Sequence, residues 1–152
     1  MKLTRATAAE CQAMALVHGE AFADKSWRED EFEDLLDGEG IYGFLAADDR
    51  PLGVILCRIA AEEVEVLTIG VSPSSRRRGV GLALMSAALD VARDNGTLQA
   101  FLEVAVDNES AIALYDQVGF RKAGLRKSYY DRGVEGCIDA LVMHLDLNVA
   151  AA

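Results

Sequence analysis

Residues 64–95 constrain the fold more than any other part of the chain. They read as an apolar strand (Val64, Val66, Ile69, Val71), a turn broken at Pro73, a basic loop (Arg76, Arg77, Arg78, Gly79, Val80, Gly81) and an amphipathic helix over 79–95 stopped by Gly96. A further strand at 98–106 completes a strand–helix–strand unit, whose crossover must be parallel and right-handed. The helix start leaves N–H groups without intrahelical partners, and the macrodipole adds partial positive charge there. Gly79 and Gly81 carry no side chain to hold an anion off, and three consecutive arginines stand out in a chain of formal net charge -10. The loop is either a seat for a pyrophosphate or a solvated basic turn.

Two nucleotide readings fail on named residues. A P-loop needs Lys-Ser or Lys-Thr after its last glycine, and Gly81 is followed by Leu82-Ala83. The dinucleotide fingerprint needs glycine or alanine three positions after Gly81, where Leu84 stands.

A second segment has well-marked helix ends. Asn108 is a good N-cap, Glu109 suits the first turn and Gly119 the left-handed position after the last. Ala111, Leu114, Tyr115 and Val118 fall on one apolar face. Elsewhere, 2–6 reads as a strand, Thr7-x-x-Glu10 as a capping box opening a helix to about 22, and Ser26-x-x-Glu29 as another opening a helix to about 36. Strands follow at 41–47 and 52–60, and later at about 120–129 and 137–146, around a turn at Asp131-Arg132-Gly133. The expectation is one α+β domain over 1–147 and a frayed tail over 148–152.

The pattern Arg76-x-x-Gly79-x-Gly81 behind a strand resembles the acyl-CoA loop of the Gcn5-related N-acetyltransferases (GNAT). Asn108-x-x-Ala111-x-x-Leu114-Tyr115-x-x-x-Gly119-Phe120 resembles the second half of the same signature. Within that family the chain is most similar to the bacterial ribosomal-protein-alanine branch, whose members acetylate the N-terminal alanine of a small-subunit ribosomal protein. Phe22, Trp27, Leu102-Glu103-Val104, Arg126-Lys127-Ser128-Tyr129-Tyr130 and Asp139-Ala140-Leu141-Val142-Met143 carry this likeness. The chain departs from the branch at Ser26-Trp27-Arg28, where Pro-Trp-Ser is common, and at Arg76, where glutamine is. The resemblance implies the GNAT fold, a mixed and mostly antiparallel sheet of about seven strands flanked by about four helices. It also implies acetyl-CoA as co-substrate, held by Ile69, Gly70 and Val71 along the strand, by Arg76, Arg77, Arg78, Gly79, Val80, Gly81 and Leu82 in the loop, and by Asn108.

Acetyl transfer to an amine needs a neutral nucleophile, a polarised thioester carbonyl and a proton for the leaving thiolate. An α-amino group near pKa 8 is neutral roughly 300-fold more often than a lysine near 10.4, so it asks less of a base. Glu103 lies in an otherwise apolar strand, either placed to take a proton or simply turned to solvent beside Gln99 and Asp107. The family match favours the base. Many relatives instead carry a carboxylate in the preceding strand, where this chain has Leu67-Thr68; Glu63 and Glu65 read as the outward side of a strand end. Tyr115 is the corresponding acid, or a residue packing its helix face. Proton transfer from a phenol near 10 to a thiolate near 8.5 is modestly uphill, which suits a hydrogen-bond donor to developing charge. Trp27, Tyr129 and Tyr130 are candidates for lining the acceptor entry, or for core packing. The acidic 29–37 segment could attract a basic peptide or form the solvated face of a helix with Phe32, Leu35 and Leu36 inside.

The expected function is acetyl transfer from acetyl-CoA to the N-terminal alanine of a ribosomal protein, directly and without an acyl-enzyme, since no histidine is paired with a cysteine. Two alternatives stand: the same chemistry on a small amine, an amino acid or a protein lysine, and a non-catalytic acyl-CoA binding module. Glu103 and Tyr115 together argue against the second. Three cysteines at 11, 57 and 137 lack Cys-x-x-Cys spacing, and His18 and His144 have no metal-like neighbours, so neither a disulfide frame nor a metal is expected. Met1-Lys2-Leu3-Thr4-Arg5 has no signal-like apolar region and no run reaches membrane-spanning length. The acidic balance argues against nucleic acid. A cytoplasmic monomer or weak homodimer, with a basic ribosomal peptide as partner, is the expectation.

Overall fold

The computed structural model describes residues 1–23, 25–131 and 133–148. Seven strands form one sheet in the order β1-β2-β3-β4-β5-β7-β6, with β1 (Lys2–Arg5), β2 (Ile41–Ala47), β3 (Pro51–Ala60), β4 (Glu63–Val71), β5 (Gln99–Ala105), β6 (Arg121–Asp131) and β7 (Cys137–Asp146). All neighbours are antiparallel except β4 and β5, the pair joined through α3 (Val80–Asp94). The α+β expectation and the parallel unit hold in this arrangement.

The sheet is covered on both faces, which is why β3 runs as an unbroken apolar stretch, buried from Leu52 to Cys57. On one face, α1 (Cys11–Ala21) and α2 (Glu29–Leu36) close a core of Cys11, Met14, Val17, Phe32, Val54 and Leu56. On the other, α3 and α4 (Glu109–Val118) bury Leu84, Met85, Leu89 and Tyr115 against Ile55, Val66, Leu102 and Phe120. Each fully buried Leu, Met or Phe here contributes about 1.5–3 kcal/mol. The Tyr42 hydroxyl, buried between layers, donates to Ala88 O at 2.7 Å.

The first capping box forms as the sequence predicts: Thr7 N–H donates to Glu10 Oε1 at 2.8 Å, and Thr7 Oγ1 accepts from Ala9 N at 3.2 Å. Its first turn, Ala8–Glu10, is 3-10 rather than α. The second box does not start at Ser26. The N-cap is Arg28, whose N–H donates to Glu31 Oε1 at 3.3 Å. Just before this cap, the Trp27 N–H donates to His18 Nδ1 at 3.1 Å. Asn108 caps α4 through Ala111 N (3.3 Å), and Gly119 ends it at φ 115°. Arg132 of the expected turn and residues 149–152 of the expected tail lie outside the described residues.

Candidate active site

A break in pairing makes the site. β4 and β5 are bonded only over Glu63–Glu65 and Gln99–Phe101; beyond these the strands part. At the same level the β3–β4 register slips, Leu56 facing Thr68 and Cys57 facing Val66, so Leu67 is an extra residue in β4. The bulge turns two consecutive side chains, Leu67 and Thr68, toward α1: Leu67 joins the α1–α2 core and Thr68 meets His18. Past the bulge, Ser72 N–H donates to Leu52 O at 2.9 Å. Antiparallel alternation then directs the main-chain groups of Thr68 and Gly70 to β3, and those of Ile69 and Val71 into the gap.

The gap is a cleft of about 730 Å³ lined by both parted strands, by His18, Phe22, Lys25 and Trp27 on one side, and by Asn108, Tyr115 and Tyr130 on the other. Glu103 lies on its β5 wall, its side chain 28 % exposed. Oε1 receives Arg126 Nη1 at 2.6 Å, while Oε2 is shut from solvent without a hydrogen-bond partner among the described residues. The Arg126 guanidinium also stacks on Tyr129, 4.4 Å from the ring centre. Burial and then the Glu103 charge push the Tyr129 phenol up, and Tyr129 stays half exposed beside the cleft. The Tyr130 hydroxyl reaches Glu103 O at 3.4 Å. Tyr115 is buried in the cleft wall, and burial pushes its phenol above the usual range.

The basic loop follows the end of β4 and leads into α3. Arg76, Arg77 and Arg78 are exposed, and Arg76 Nε donates to Val71 O at 3.3 Å. Arg77 and Gly79 both have left-handed backbone (φ 63° and 80°), and no side chain caps α3. Successive N–H groups at the helix start are therefore turned outward with fixed positive charge around them, an arrangement suited to phosphate oxygens. Val80 is core, whereas Leu82 is partly exposed. Gly81 has a packing reason of its own, since a Cβ there would stand 2.9 Å from Leu114 Cδ2. Gly70 faces the other way from Ile69 and Val71. Its main chain faces β3, and its missing side chain makes room for Phe22 Cε2, 2.8 Å from where a Cβ would stand.

Sequence reasoning missed His18, Thr68 and the Arg126 contact. His18 is 2 % exposed, with Nδ1 accepting from Trp27 N and Nε2 at 3.0 Å from Thr68 Oγ1. Burial pushes its pKa down to about 4, partly opposed by Glu31. The available signal was position: Cys11, Met14 and His18 fall on one helical stripe, where a polar residue is out of place. Among the described residues, no three His, Cys, Asp or Glu side chains gather as a metal site, and no helix is long and apolar enough to cross a membrane.

Several known proteins resemble this chain in sequence and fold. The profile of the Acetyltransferase (GNAT) family matches residues 8–120. The [Ribosomal protein bS18]-alanine N-acetyltransferase of Salmonella typhimurium is 34% identical over 105 residues, 69% of this chain and 70% of that one. Its Escherichia coli K12 counterpart is 31% identical over 113 residues, 74% and 76% of the two chains. The crystal structure of the ribosomal-protein-S18-alanine N-acetyltransferase from Escherichia coli superposes with TM-score 0.87 at 26% identity, covering 99% of this chain and 96% of that one.

Proposed function

The chain belongs to the acetyltransferase (GNAT) family, an acetyl-CoA-dependent N-acetyltransferase, and from that premise we propose that its acceptor is the N-terminal alanine of a small-subunit ribosomal protein. The observation that carries this reading is the likeness to ribosomal-protein-alanine enzymes over about three quarters of the chain, joined to a cleft that presents Glu103 and Tyr115 together.

The main-chain N–H groups of Ile69 and Val71 fit the pantetheine arm and the thioester carbonyl, because the parting of the strands leaves them directed into the cleft. The start of α3 with Arg76, Arg77 and Arg78 fits the pyrophosphate. Asn108 faces the cleft while its Oδ1 caps α4. The neutral α-amine attacks the thioester carbonyl; a C–N bond forms, the C–S bond breaks, and the amine proton leaves toward Glu103. Oε2 is the oxygen for this, since Oε1 is held by Arg126. Tyr115 donates a hydrogen bond to the departing sulfur. Its raised pKa makes full release of the proton more costly, so the hydroxyl stabilises charge rather than supplying an acid. Trp27 and Tyr130, which line the cleft, and Tyr129 beside it suit the acceptor side.

The test uses two peptides with acetyl-CoA, read by thiol release and mass. One carries the N-terminal sequence of the host's alanine-starting ribosomal protein, and the other is the same peptide with its α-amine blocked. Acetylation of the free peptide alone is expected; equal acetylation of both would move the acceptor to lysine and overturn the proposal.

A further inference from the structure

His18 takes no part in the chemistry above, yet it touches both halves of the cleft. It stands in the last turn of α1 with the ring sealed among Phe22, Trp27 and Phe32, at centroid distances of 4.6, 4.9 and 5.6 Å. Because Nδ1 accepts the Trp27 N–H, the ring proton belongs on Nε2 and is donated to Thr68 Oγ1. Both nitrogens are thus committed, which leaves no lone pair for a substrate proton. The two partners belong to different functions. Thr68 is the residue after the bulged Leu67, directly before Ile69, whose main chain faces the gap. Trp27 belongs to the connection between α1 and α2 that walls the acceptor side.

We propose that His18 is a positioning residue, tying the acceptor wall at Trp27 to the cofactor strand at Thr68 so that the two substrates meet in register. Among the described residues, the Thr68 side chain is bonded only from α1, and the bulge removes regular pairing beside it. The bracket is, among the described residues, the polar tie between the strand leading into Ile69 and the Trp27 segment. The inference rests on β4 being the acetyl-CoA side of the proposed site.

The experiment compares wild type with Thr68→Val, Thr68→Ser and His18→Phe, each checked for folding by circular dichroism. Thr68→Val keeps the shape and removes the hydroxyl. It is expected to lower kcat/KM about tenfold for acetyl-CoA and for the acceptor together, within the range that ångström-scale misplacement costs. Thr68→Ser should restore most of that loss, and His18→Phe should fall at least as far as Thr68→Val. Trp27 is the chain's one tryptophan, and its indole stacks on the imidazole at 24°. Its emission should therefore change in Thr68→Val and His18→Phe but not in Thr68→Ser, with no ligand present. Thr68→Val matching wild type in rates and emission would overturn the proposal, as would Thr68→Ser failing as badly as Thr68→Val. If wild type leaves the ribosomal peptide untouched, the acceptor reading fails alone; emission and acetyl-CoA affinity across the same variants still decide the bracket.

Discussion

Acid should weaken this fold through His18. The imidazole is 2 % exposed and neutral, its pKa pushed down by burial to about 4 from an ordinary 6.5. Between those values the unfolded chain takes up a proton that the folded chain refuses. The unfolded state therefore binds more protons, and stability must fall as pH drops from about 6.5 to about 4. The limiting loss is about 3 kcal/mol, and at pH 5 it is already about 2 kcal/mol. Urea unfolding at pH 7 and pH 5 measures the drop. His18→Phe removes the titrating group while keeping a buried ring, and His18→Gln serves if the phenylalanine variant does not fold. His144 and every carboxylate are present in all of these proteins, so they cancel in the difference of drops. Wild type should lose about 2 kcal/mol more than the variant. An equal loss in both would refute the claim that the ring is buried neutral.

Glu103→Gln should lower kcat by about 10²–10⁴-fold while calorimetry shows acetyl-CoA affinity unchanged; retention of full turnover would remove Glu103 as the base. For Tyr115→Phe, a fall in kcat of about 10–100-fold with little movement in either KM is expected from loss of one donor to developing charge, read from steady-state rates. Gly70→Ala would place a Cβ 2.8 Å from the Phe22 ring and 3.0 Å from Ala21 Cβ. It should cost about 1–3 kcal/mol in thermal or urea unfolding, and an unchanged melting temperature would show that α1 gives way freely. Replacing Arg76, Arg77 and Arg78 together by alanine should raise the acetyl-CoA KM and flatten its salt dependence, since exposed charges act through a screened field.

The sequence was legible where one segment's chemistry decided its own structure. The α3 and α4 ends, the hairpins and the parallel unit could be read because caps, glycines and apolar periods act locally. The seat of the second helix lies two residues past the expected one: Ser26 has the side chain of a good cap, yet the cap is Arg28, whose main-chain N–H meets Glu31. Spacing alone does not show that the Gly70 main chain faces β3 while those of Ile69 and Val71 face the gap. The bulge at Leu67 had no mark at all: Leu67-Thr68 reads as regular strand, and only the mismatch with β3 reveals the extra residue. Arg126 was visible within a motif, but its hold on Glu103 depends on β6 and β5 lying on either side of β7.

The same interruption that sequence hides explains why the proposed catalytic groups collect here. A fully paired β4–β5 ladder would bury its main-chain donors and leave no space between the strands. Parting them beyond Glu65 and Phe101 leaves donors unpaired, a cost of about 1–3 kcal/mol for each one kept from water. The fold can bear it because each strand is held from its far side, β4 by β3 and β5 by β7 along its whole length. Glu103 can then sit in an apolar strand with one oxygen committed to Arg126 and the other without a hydrogen-bond partner among the described residues. Neither condition is available inside a closed sheet. The unpaired strand edges and the half-satisfied carboxylate are therefore a single structural feature, and a substrate that supplies amide partners to one and a proton to the other is the occupant such a cleft selects.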